Sequence, residues 1–142
     1  MATVVFDACA FITYLTNEPG ADAVETVLLD CKAGEHDGSV HALNLYEVER
    51  YIRVNAPARA GVIMKLLRAV LRNHGIRIHR SVPLRMQRNM VTLKMAAGAN
   101  FAALDAACVG YACVKGAYVL TADHAEMDQL ESVGLAQFLW FR

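Results

Sequence analysis

Residues 117–123 read Ala117-Tyr118-Val119-Leu120-Thr121-Ala122-Asp123, an apolar run that stops at an acid. A short unbroken apolar run bounded by glycine fits a strand buried on both faces, as in parallel sheets. Thr3-Val4-Val5-Phe6-Asp7 repeats the pattern near the other end of the chain. Working outward, Ser39-Val40-His41-Ala42 and Ile76-Arg77-Ile78-His79 read as two more strands, and Gln137-Phe138-Leu139-Trp140-Phe141 as a last one. The segments between them carry helical patterns. Helices are expected over 8–16 and 20–34, with Glu18-Pro19-Gly20 as punctuation and Gly34 and Gly38 bracketing a turn. Asn44 is placed to cap a helix running to Asn55. Pro57 opens another, to Asn73, with Ile63, Leu66, Leu67 and Val70 as its apolar stripe. Further helices are expected from Pro83 to Ala97, from Phe101 to Val114 and over 124–132. Strands alternating with helices imply an α/β fold: one domain over 1–142, a three-layer α/β/α sandwich with a mostly parallel central sheet.

The composition supports a packed domain. The chain has 142 residues, 56% hydrophobic and 20% charged, with mean hydropathy +0.28. That is too apolar for a disordered segment. The longest stretches without Asp, Glu, Lys or Arg are 8–17, 95–104 and 132–141. Each falls well short of the roughly 18 residues a membrane span needs. Asp7 follows the first residues without a basic leader, so no signal peptide is expected. Cys9, Cys31, Cys108 and Cys113 lack CxxC spacing and read as small buried hydrophobes in a reducing, cytoplasmic setting. The histidines offer no paired zinc spacing.

Net charge is zero, but it is unevenly spread. Residues 1–49 hold nine acids and one base, whereas residues 50–94 hold eleven bases and no acid. Arg50, Arg53, Lys65, Arg68, Arg72, Arg85 and Arg88 belong to this block, and Lys65, Arg68 and Arg72 share one helix face. Like charges at helical spacing repel by a few tenths of a kcal/mol per pair. A polyanion relieves that repulsion, and arginine suits bidentate phosphate contacts. The block is therefore expected to meet an external polyanion such as a nucleic-acid backbone; the alternative is a solvated face that only keeps the protein soluble.

In a parallel sheet, ligands bind beyond the carboxyl ends of the strands. Asp7 and Asp123 stand at two such ends. Asp105 interrupts Phe101-Ala102-Ala103-Leu104-Asp105-Ala106-Ala107-Cys108, and Glu47 lies early in Asn44-Leu45-Tyr46-Glu47-Val48. Each alone has a plain structural reading as a cap, a pair or a solvated position. Together they are four acids converging on one sheet edge, with no base expected to neutralise them. Clustered carboxylates favour a hard divalent cation, Mg²⁺ or Mn²⁺. The chain has no GxSxG, no Walker GxxxxGK[ST] and no GxGxxG after a strand. What fits an acid-only site is metal-assisted attack of water on a phosphodiester.

Val4-Val5-Phe6-Asp7-Ala8-Cys9-Ala10, Asn44-Leu45-Tyr46-Glu47, Leu104-Asp105-Ala106-Ala107 and Leu120-Thr121-Ala122-Asp123 resemble, in order, the four motifs of the PIN domain. The chain's size resembles the VapC toxins of bacterial toxin–antitoxin pairs. The resemblance implies an Mg²⁺-dependent endoribonuclease in which Asp7, Asp105 and Asp123 hold the metal. It further implies Glu47 as a fourth ligand or water-positioning group, with Thr121 and Asn44 as polar supports behind the ligands. It also implies a homodimer, an RNA substrate and a small inhibitory antitoxin. Ala8 departs from the Ser or Thr of many members, and Glu126 and Asp128 are further acids that read as solvated helix positions. Three other readings stay open: an RNA-processing nuclease of the same fold that is not a toxin, an inert nucleic-acid-binding module, and a phosphatase with Asp7 as nucleophile. Cys9 stands where the last of these needs a second Asp.

Overall fold

The computed structural model describes residues 1–142. Five strands form one sheet: β1 (Ala2–Phe6), β2 (His36–His41), β3 (Arg77–His79), β4 (Tyr118–Thr121) and β5 (Gln137–Trp140). Their order is β3-β2-β1-β4-β5 and every pairing is parallel. The helices are α1 (Ala8–Thr16), α2 (Ala21–Ala33), α3 (Ala42–Asn55), α4 (Ala60–Asn73), α5 (Leu84–Ala97), α6 (Ala103–Lys115) and α7 (Ala125–Ser132). The expected α/β architecture is thus present, and its sheet is wholly rather than mostly parallel.

Two cores flank the sheet. Val4 and Phe6 on β1 point into one, with α1, α2 and α4. Val5 points into the other, with α5, α6 and α7. This alternation is the two-residue period of a strand buried on both faces. The topology leaves β1 in one direction toward β2 and in the other toward β4. Their carboxyl ends therefore flank a switch point, where a parallel sheet opens a crevice.

Several local expectations are corrected. Gly38 does not bracket a turn but lies inside β2, which starts at His36 rather than Ser39. A Cβ there would stand 2.6 Å from Ile76 Cδ1 and 2.7 Å from Cys31 Sγ. Glycine is required by packing, a signal indistinguishable from a turn in sequence. Gly38→Ala is expected to cost about 1–3 kcal/mol by overpacking, read as a lower urea midpoint with an unchanged slope. Asn44 does not cap α3; His41 does, its Nδ1 accepting from the Leu43 amide at 3.1 Å. Pro57 opens a separate 3-10 turn, Pro57–Arg59, before α4 begins. Leu66 is exposed, and the buried stripe of α4 is Ile63, Met64, Leu67, Val70 and Leu71. Tyr118 is partly exposed, so the run that announced β4 is fully buried only from Val119. No helix is long and apolar enough to cross a membrane.

Candidate metal centre

Asp7 leaves the end of β1 and heads α1. Its Oδ1 accepts from the Ala8 amide at 2.8 Å, and its own amide donates to the Leu120 carbonyl on β4. Its Oδ2 accepts from Thr121 Oγ1 at 2.8 Å and from Cys9 Sγ at 3.2 Å. The carboxylate is 3% exposed and held from three sides. Thr121 Oγ1 also accepts from the Asp123 amide at 3.1 Å, so one hydroxyl ties Asp7 to the loop after β4. Cys9, read from sequence as a buried hydrophobe, is a working part of this network. Its Sγ lies 3.3 Å from Thr121 Oγ1 as well.

Glu47 projects from the second turn of α3, and Asp105 from the first turn of α6. Asn44 joins these two helices, its Nδ2 donating to the Leu104 carbonyl at 3.3 Å. The result is that carboxylate oxygens of Asp7, Glu47 and Asp105 lie within 4.8 Å of one another. They come from three elements separated widely in the chain. Glu47 Oε2 is buried without a hydrogen-bond partner, as is Asn44 Oδ1. An orphaned, buried carboxylate oxygen is costly unless something outside the chain takes it. A hard cation, which takes oxygen ligands, fits this donor set.

Asp123 stands at the rim rather than in the closest cluster. Its Oδ1 accepts from the Ala125 amide at 3.3 Å at the start of α7, but the N-cap position itself is His124, one residue on. It is nonetheless near enough to act electrostatically on Asp7, Glu47 and Asp105. Glu126 acts in the same sense on Asp105, while Asp128 instead pairs with His124 at 2.9 Å.

The charges are strained. Burial first, then Asp7, Glu47, Asp123 and Glu126, push Asp105 up to about 7. Burial raises Asp7 too, although Thr121, Cys9 and the Ala8 amide pull against it. Burial and the Asp7 charge raise Glu47, and Arg50 opposes them. Arg50 lies one turn beyond Glu47, so the expectation of no neutralising base is corrected for that one acid. A carboxyl raised on folding binds a proton that the unfolded chain has already released. Its contribution is therefore full at acid pH and lost as pH rises through the folded value. The metal-free protein is expected to melt at progressively lower temperature from pH 5 to pH 8. Millimolar Mg²⁺ should flatten that slope by stabilising the charged form. Melting curves at each pH with Mg²⁺ or EDTA check this; a metal-free melting temperature rising over the window would contradict it.

The basic block does not form one surface. Lys65, Arg68 and Arg72 are exposed on α4, on one side of the sheet, whereas Arg85 and Arg88 are exposed on α5, on the other. Arg53 pairs with Glu49 at 2.7 Å, and Arg77, in the same block, pairs with Asp37.

No protein-family profile matches the sequence, and no curated protein matches it. Among solved structures, it is similar in fold to a chain of VapBC2 from Rickettsia felis, crystallised bound to a DNA fragment from their promoter. The TM-score is 0.72 at 10% identity, over 96% of this chain and 97% of that one. Such a likeness without sequence similarity is a statement about the fold. The arrangement of chemistry must be argued from this chain's own side chains.

Proposed function

We propose that this chain is a metal-dependent endoribonuclease, the toxin of a toxin–antitoxin pair, with Mg²⁺ or Mn²⁺ held by Asp7, Glu47 and Asp105 and with Asp123 at its edge. The observation that carries the reading is the convergence of three carboxylates within 4.8 Å beside an orphaned Glu47 oxygen. When bound, the ion activates water and neutralises charge on the phosphate. The chain's own residues do the positioning. Thr121, Cys9 and the Ala8 amide fix the plane of the Asp7 carboxylate, so that it needs no reorganisation when substrate arrives. Asn44 holds the Glu47 helix against the start of the Asp105 helix. Arg50, exposed one turn from Glu47, is the base of the block placed to meet a phosphate beside the pocket. Lys65, Arg68, Arg72, Arg85 and Arg88 then serve longer flanking RNA on either side.

The fold match along nearly the whole of both chains supports the toxin reading, with an antitoxin as partner. Exposed Leu84, Val91 and Met95 along α5 support a surface that a partner covers, either the antitoxin or a second copy in a homodimer. The test is incubation of the purified chain with single-stranded RNA in Mg²⁺, in Mn²⁺ and in EDTA. Cleavage is expected with either metal and none in EDTA. Equal cleavage in EDTA, or none with any divalent ion, overturns the reading.

A further inference from the structure

We propose that the outward face of His124 is a stacking platform for one nucleobase of single-stranded RNA beside the acidic pocket. This rests on the ribonuclease reading for its ligand class and deepens it by assigning a base-binding position.

Phe138 and Trp140 alternate along β5 and so project from the same side of the sheet. Their rings stack at 5.0 Å and 23°. Trp140 is in register with Thr121, the residue that holds Asp7. His124 stacks on Trp140 at 4.0 Å and 15°. Three rings thus run outward in sequence, from buried Phe138 to His124, whose side chain is 47% exposed. The column ends in an open face.

That ring has no other chemistry left to do. Its Nδ1 lies 2.9 Å from Asp128 Oδ1 and its Nε2 lies 2.8 Å from the Arg142 carbonyl. Both partners are acceptors, so the imidazolium form donates to both and a neutral ring to one of them; in either form both nitrogens point at protein atoms rather than at a ligand. The two bonds and the Trp140 stack fix the ring plane before anything binds, so docking a flat ligand costs no rotamer freedom. Trp140 is anchored in turn, its Nε1 donating to both Glu131 oxygens. The anions that hold the column, Asp128 and Glu131, bond to ring edges and leave the outer face uncovered. His124 directly follows Asp123, whose charge reaches all three clustered acids. A base on this face would belong to a nucleotide adjoining the one whose phosphate enters the pocket. Aromatic stacking accepts any base and is typical of single-strand binding.

The experiment uses Trp140, the chain's sole tryptophan. Its fluorescence is titrated with a single-stranded oligoribonucleotide of about ten nucleotides, with Ca²⁺ replacing Mg²⁺. Wild type, His124→Phe, which keeps a face, and His124→Asn, which keeps polarity but no ring, are compared. RNA is expected to change the emission of wild type and of the Phe variant. The Asn variant should bind about tenfold more weakly, and in Mg²⁺ its loss should fall on KM more than on kcat. Moving one abasic site along the oligonucleotide should abolish the emission change at a single position. Equal affinity of all three proteins, with no abasic position mattering, overturns the platform even if RNA is cleaved. If Asn fails to fold, the abasic series on wild type decides by itself. An emission change that depends on one base, without cleavage under any metal, supports the platform while the nuclease reading fails.

Discussion

Asp105→Asn is expected to abolish metal-dependent RNA cleavage, by about a thousandfold or more, while raising the melting temperature of the metal-free protein. The two effects have one cause. Every influence on Asp105 pushes it toward the neutral form: burial first, then four neighbouring acids. Asparagine keeps its shape and removes the charge, so the repulsion among Asp7, Glu47 and Asp105 falls. Relief of about 1–2 kcal/mol should raise the melting point by about 3–8 °C. The same change removes a cation ligand, so the Mg²⁺-induced rise in melting temperature should shrink. A structural acid behaves oppositely, since its loss destabilises. Wild-type cleavage rates, or a metal-free melting temperature below wild type, would remove Asp105 from the proposed centre. Asp7→Asn tests the same centre less cleanly, because Asp7 also accepts three hydrogen bonds that organise the start of α1.

Phe6→Ala is expected to be the most destabilising truncation near the site, at about 3–5 kcal/mol. Phe6 is fully buried and stacks on Phe11 at 5.1 Å and 20°. It sits in the core between the sheet and α1, α2 and α4. A loss of that size is a large part of the roughly 5–15 kcal/mol that holds a domain folded. It should therefore lower the chemical-denaturation midpoint steeply. Because Phe6 precedes Asp7 in the chain, a cavity there also loosens the strand end that aims the carboxylate. Activity per folded molecule should fall as well, measured well below the melting temperature. Phe6→Leu, which keeps most of the volume, should lose less of both. A midpoint for Phe6→Ala within error of wild type would show that the core does not depend on this ring.

The three acids that cluster were all visible as acids out of place: Asp7 at a strand end, Asp105 in an apolar helix, Glu47 early in another. Their supports were less legible. Cys9 looks apolar in its segment, and only the fold brings its thiol to Asp7 and Thr121. His41 carries no local sign of capping α3, because its ring turns back on its own helix and reaches the Ser81 carbonyl forty residues away. The basic block reads as one feature in the chain and is divided by the sheet, since α4 and α5 cover opposite faces. The Phe138–Trp140–His124 column joins β5 to the loop after β4 and has no sequence spacing to announce it.

By itself, the amino-acid order determined the alternation of strands and helices and the acids at the strand ends. Burial periodicity and the punctuation by glycine and proline act between near neighbours, so they can be read along the chain. Only the tertiary structure decided that Asp123 stands at the rim, that Gly38 is a packing contact, and that His124 ends an aromatic column. Each depends on a side chain from a distant segment, and strand order and layer, not local preference, choose that neighbour.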